Sequence, residues 1–168
     1  MKKMFLISLS LLALLSSSLL AEDKKTTSKA AQKSYVGIGL GFTDVTVYDT
    51  GYSLLLHAGK SLPNISKDFG VEGAFTHTVV DPSFKDIALT ITTIAGYATY
   101  NFNFTPEVNL KAKGGILYER LTANATVNEF EVSYGFKVLY ALEKTKSLYI
   151  DYTIVERDIA IFSIGLEF

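Results

Sequence analysis

The chain has 168 residues, 16 basic against 17 acidic side chains, a formal net charge of −1 and no cysteine. That balance leaves no basic footprint for nucleic acid, and without cysteine neither a disulfide nor a thiolate metal site can form. Ten tyrosines, eleven phenylalanines and twelve glycines against three prolines suit many strands joined by short turns.

Lys2 and Lys3 precede an apolar run from Met4 to Leu15, followed by Ser16, Ser17, Ser18, Leu19, Leu20 and Ala21. A charged start, an apolar stretch and a small residue form an export signal peptide over residues 1–21, with cleavage after Ala21 and Ser18 as the alternative site. Serines interrupt the run near the length a spanning helix requires, which disfavours an uncleaved anchor. The absence of cysteine excludes lipoprotein processing. Removing the segment takes away two lysines and no acid, leaving a more acidic mature chain. Residues 22–33 are polar, have no face to bury, and read as a flexible tail.

From Ser34 onward the pattern is alternation rather than helical periodicity, broken by turn residues at Asp49, Pro63-Asn64, Asp81-Pro82, Thr105-Pro106, Asn124 to Asn128, Glu143-Lys144 and Arg157-Asp158. Eight strands are predicted: Tyr35–Thr43, Thr50–Lys60, Lys67–Thr78, Asp86–Phe102, Glu107–Leu121, Val127–Leu142, Ser147–Val155 and Asp158–Phe168. The fourth is long, with a bulge expected near Thr92-Thr93. In the last, Ala160, Phe162, Ile164, Leu166 and Phe168 take one face; Ser163, Gly165 and Glu167 take the other, with Ile159 and Ile161.

Charge parity decides which face meets which medium. Glu72, Lys111, Lys113, Glu119, Glu131, Lys137, Asp151 and Glu167 all oppose the aromatic and aliphatic face of their strands. An Arg or Lys facing the bilayer centre costs about 2–4 kcal/mol, so this separation is what a membrane barrel demands. Lipid supplies no water to unpaired backbone groups, so the sheet must close. The fold class is therefore all-β, an eight-stranded antiparallel up-and-down transmembrane barrel over residues 34–168. Tyr52, Tyr97, Tyr100, Phe102, Phe104, Tyr118, Tyr140 and Tyr152 are expected on the lipid side as interface girdles. The competing reading is a soluble barrel or sandwich with the apolar face as its core.

Eight strands enclose an interior that side chains fill. Glycines 37, 39, 41, 115, 135 and 165 make room there for the eight charged residues named above, which are expected to form a salt-bridged lumen network, since buried charges persist only when paired. The function expected is structural, in the cell envelope; the alternative is a narrow porin-like channel or small-solute transporter, and a lipid-modifying enzyme ranks third. Nucleophilic catalysis needs a Ser, a base and an orienting acid. The nearest arrangements, Ser53 with His57 and the run Thr76-His77-Thr78, match poorly. No catalytic, cofactor-binding or metal-ligating residue is assigned, and no cofactor is expected; the two histidines lack metal-ligand spacing.

The signal peptide, the single unit of eight alternating strands and the C-terminal run Phe162-Ser-Ile-Gly-Leu-Glu-Phe168 together resemble the small bacterial outer-membrane barrels: the OmpA transmembrane domain, OmpX-like proteins and the opacity-type porin family. The resemblance implies an outer-membrane location in a Gram-negative bacterium. It makes Phe162, Ile164, Leu166 and Phe168 the signal read by the barrel assembly machinery. It also places the tail and the turns near Pro63, Pro106 and Lys144 in the periplasm. Outer-membrane lipids and the assembly machinery are the partners it implies, with a monomer as the expected state. The segments corresponding to the family's long external loops, Asp44–Asp49, Val79–Lys85, Thr122–Thr126 and Glu156–Asp158, are short here, which weakens an adhesin reading.

Overall fold

The computed structural model describes residues 34–143 and 145–168. The expected signal peptide, the tail 22–33 and Lys144 lie outside them. Alternating sequence becomes ten strands: β1 (Ser34–Val45), β2 (Gly51–Ser61), β3 (Phe69–Val80), β4 (Ser83–Phe84), β5 (Ile87–Ala88), β6 (Thr90–Asn103), β7 (Val108–Thr122), β8 (Thr126–Glu143), β9 (Lys146–Glu156) and β10 (Ile159–Glu167). Eight of them close an antiparallel barrel in the order β1-β10-β9-β8-β7-β6-β3-β2. This is the expected all-β, up-and-down architecture.

The ring is sealed between β1 and β10, in register from Gly37 opposite Glu167 to Val45 opposite Ile159. At its end Val36 and Phe168 exchange both backbone bonds, at 3.1 and 2.8 Å. Antiparallel order puts Ser34, Phe168 and the turns 62–68 and 104–107 at one end, called here the terminal end. The turns 46–50, 81–89, 123–125 and 157–158 lie at the other, the far end.

Period two sends alternate residues to lipid and lumen. Ile38, Leu40, Ile116, Val132, Ile150 and Ile164 are exposed on the outside. Thr43, Ser53, Ser133, Lys137 and Ser163 are fully buried inside. Outer aromatics pair across neighbouring strands, as in Phe42 with Tyr52 and Tyr118 with Phe130, at ring separations of 5.4 and 5.2 Å.

Two expectations are corrected. Tyr97 belongs to the lumen, not to an outer girdle: it is buried, and its hydroxyl bonds to Ser133 Oγ at 3.0 Å. The fourth predicted strand does not run from Asp86, and its pairing passes Thr92-Thr93 without a bulge. Lys85 and Asp86 both adopt positive φ, 48° and 67°, the two-residue turn that closes a tight hairpin. That turn joins β4 to β5, and β6 starts only at Thr90.

The segment 81–89 is held onto the far rim. Asp81 accepts hydrogen bonds from Thr78 and Thr90 at 2.6 and 2.7 Å, and Leu89 N donates to Pro82 O at 2.8 Å. Beneath it Val45, Leu89, Ile91, Leu117, Val155, Ile159 and Ile161 form an apolar cluster, with Tyr48, Leu55 and Leu121 packed against it.

Ile164 sits mid-strand on the outer face, paired with Leu40 and Ile150. Ile164→Arg is expected to lower stability by about 2–4 kcal/mol, measured by urea unfolding from lipid vesicles. A loss no larger than that of Ile164→Ala would contradict the assignment of this face to lipid.

A candidate functional site: the charged lumen

The terminal half of the lumen collects six inward charged side chains. Glu72 comes from β3, Lys111 and Lys113 from β7, Lys137 from β8, Asp151 from β9 and Glu167 from β10, and each is inward by strand parity. Glu72 Oε2 is the hub. It accepts from Lys137 Nζ at 2.9 Å and from the Tyr35 hydroxyl at 3.0 Å, with Lys111 Nζ at 3.7 Å. Lys111 reaches Glu167 Oε2 at 3.2 Å, and Lys137 lies 3.7 Å from the same oxygen. Lys113 donates to Asp151 Oδ2 at 2.6 Å, and Asp151 Oδ1 accepts from Thr153 at 2.5 Å.

Three ammonium groups thus face three carboxylates in a space from which water is largely excluded. Burial of a single charge costs heavily, and a pair repays that cost only with good geometry and further hydrogen bonds. Aromatic faces add to the balance: Lys111 Nζ lies 3.6 Å from the Tyr35 ring centre and Lys137 Nζ 5.0 Å from that of Tyr149. Glycine makes this packing possible. A Cβ on Gly37 would collide with the His57 ring, and one on Gly39 with the Tyr149 hydroxyl.

Glu119 and Glu131, the other two acids of the predicted network, also point inward but lie in the far half. Glu119 is buried, and Glu131, in register with Leu117, is half-buried. Among the described residues no ion pair joins Glu131 to the six. Tyr35, Tyr97, Tyr149 and His57 complete the site; strand parity in the sequence turns His57 inward, but none of the four is assigned to the network from sequence. Their inward parity, in strands next to glycines, was the available signal.

His57 Nε2 lies 3.1 Å from Glu167 Oε2, and His57, Glu72 and Glu167 bring ligand-type atoms within 4.8 Å of one another. Spacing along the chain hides this grouping. Its chemistry is that of a salt-bridge hub, since Lys111 and Lys137 already occupy the same carboxylates. A divalent cation would add two charges to a balanced, poorly hydrated cluster. Nor does His57 activate Ser53: the Ser53 hydroxyl bonds to Thr43 on the neighbouring strand. His77 faces outward and bonds to Thr92 through Nδ1 at 2.9 Å. Phe162, Ile164, Leu166 and Phe168 are exposed on the outer face of β10.

A closed barrel with an apolar exterior and its charges inside is a membrane-spanning β-barrel. Residues 7–165 match the outer membrane protein beta-barrel domain, and the chain belongs to that family. Solved structures agree on the fold. Neisserial surface protein A (NspA) superposes with a TM-score of 0.64 at 14% identity, over 82% of this chain and 98% of that one. Ail, the attachment invasion locus protein of Yersinia pestis, gives 0.58 at 15% identity, over 83% and 100%. The N-terminal β-barrel domain of Pseudomonas aeruginosa OprF gives 0.52 at 10% identity, over 82% and 98%. No curated protein sequence matches the chain.

Removing one partner from a buried ion pair leaves an uncompensated charge, so Lys137→Met is expected to cost about 3–5 kcal/mol. Combined with Glu72→Gln it should cost less than the sum of the two changes, with a coupling of about 1–3 kcal/mol, measured by urea unfolding of the four proteins of the cycle. Additive losses would show that the two side chains do not act as a unit.

Proposed function

We propose that this protein is an outer-membrane barrel with a structural role in the cell envelope, and that its interior conducts nothing. The observation that carries this reading is that buried side chains occupy both halves of the lumen. Three lysines and three acids neutralise one another in the terminal half, and the apolar cluster under segment 81–89 packs the far half together with buried Glu119 and short hydroxyl side chains. An ion entering from the terminal end would have to displace a paired ammonium or carboxylate and then pass the buried apolar side chains of Ile91, Leu117, Val155 and Ile161, and both steps are costly. The alternative of a narrow pathway draws on the same lysines and acids, and would require them to exchange partners as an ion passes. Against an enzymatic role, the one buried histidine is committed to Glu167 and Ser53 to Thr43.

The rest of the reading follows from the family. Residues 1–21 direct export and are removed, and residues 22–33 lie in the periplasm together with the terminal end. Phe162, Ile164, Leu166 and Phe168 engage the assembly machinery before they face lipid. The mature barrel works as a monomer surrounded by outer-membrane lipids.

Planar-bilayer recording tests the closed lumen: purified barrel is expected to give no steady unitary conductance. Regular steps that change in size or selectivity with Lys137→Ala or Glu131→Gln would overturn it in favour of the transport reading. In SDS gels the unheated protein from the outer-membrane fraction should run apart from the boiled form. A soluble, heat-insensitive protein would remove the membrane assignment itself.

A further inference from the structure

Among the described residues, closure of the ring leaves one long edge of the barrel sheet unpaired. Strand β8 starts at Thr126 and pairs with β7 along its whole length, from Thr126 opposite Thr122 to Tyr140 opposite Val108. On its other side it meets β9 only from Tyr134 onward, where Tyr134 pairs with Ile154. Strand β9 turns back into β10 at residues 157–158. Residues 126–132 therefore present one side of their backbone to no other strand, and among the described residues no loop bonds to it. Residues 126–130 are exposed on both faces, as expected for a hairpin standing clear of the barrel.

This edge cannot lie in hydrocarbon, where each unsatisfied backbone group costs several kcal/mol. Arg120 and Asn128, facing each other across β7 and β8 on the outer side, place residues 126–128 beyond the apolar belt and Phe130 and Val132 at its rim. Yet the outer face beside the open edge is apolar. Phe130, at 75%, is the most exposed large apolar side chain among the described residues, and Val132 is 70% exposed. The inner face carries Glu129, exposed, and Glu131, half-buried, with no ion pair to either among the described residues. An open edge is a template for a further strand, and strand addition takes its affinity from main-chain bonds and its specificity from alternate side chains.

We propose that residues 126–132 form a docking edge for an extended segment of another polypeptide, added antiparallel or parallel to β8, with basic residues at one parity and apolar residues at the other. The basic side chains answer Glu129 and Glu131, and the apolar ones cover Phe130 and Val132. This interaction is independent of the closed lumen, and it needs no long loops, so the short turns of the far end do not oppose it.

The test is amide hydrogen exchange, read by NMR, on the folded barrel in phosphatidylcholine nanodiscs. The probe is a synthetic peptide alternating lysine and valine, long enough to span residues 126–132. In the free barrel, alternate amides over this segment should exchange quickly while those bonded to β7 are protected. With peptide at about ten times its dissociation constant, the fast set should slow by about tenfold. The effect should vanish in Glu129→Lys/Glu131→Lys, whose unchanged heat-dependent gel shift confirms folding. Full protection in the free, dilute barrel would overturn the proposal, because the edge would not be open. Equal slowing by a glutamate–valine peptide would overturn the charge-matched occupant. Protection that rises with barrel concentration and needs no peptide would replace the proposed occupant with a second copy of the chain.

Discussion

Everything in this molecule depends on the pairing of its first strand with its last. A sheet in lipid must satisfy all its backbone groups internally, and the β1–β10 ladder, ending in the two bonds between Val36 and Phe168, removes the last edge within the membrane. The same register fixes which residues of β10 point out and which point in. It sets Ile164 and Leu166 against lipid, and it brings Glu167 beside Gly37, across from His57 and within reach of Lys111. One ladder therefore seals the barrel, aligns the outer face of its final strand and completes the lumen network.

The interior divides into two zones because its neighbours differ at the two ends. Near the terminal end charged side chains from five strands converge, and glycines on β1 leave the volume the site needs. Toward the far end the segment 81–89 folds back over the rim with Pro82 and Leu89 buried, and an apolar cluster packs there beside buried Glu119. Serine and threonine hydroxyls line other inward positions, where short side chains can bond across the ladder without bringing in charge, as Thr43 does with Ser53.

Strand parity was legible in the sequence wherever one face meets lipid and the other meets charge, because a period of two then separates residue types cleanly. That is why the strands bearing Lys111, Lys137, Asp151 and Glu167 read correctly. The rule fails on β6. Ile91, Ala95 and Tyr97 are inside and Ile94 and Tyr100 outside, so both faces are apolar and no alternation shows. A dry lumen accepts the same side chains as lipid, and this placed Tyr97 on the wrong face. The partners within the network were not legible at all, since Lys111 and Glu167, or His57 and Glu167, meet only after the ring has closed. The predicted lengths of the sixth and seventh strands did contain the mismatch that exposes the β8 edge, but its consequence depends on the register between them, which local pattern does not encode.

The two parts of the molecule therefore face opposite constraints. In the lumen the central charged groups serve more than one partner: Glu72 meets Lys137, Lys111 and Tyr35, and Lys137 meets Glu72, Asp151 and Glu167. A change at one position strands several others in a low-dielectric space, so substitutions there are coupled and costly. Beyond the end of β9, residues 126–132 pair with β7 alone, and their exposed side chains can change with little effect on the ring. A barrel with a closed interior and short turns has little room for recognition elsewhere. The rim of β7 and β8 combines freedom to vary with a fixed backbone template, and a surface that changes its partners while keeping its fold needs both.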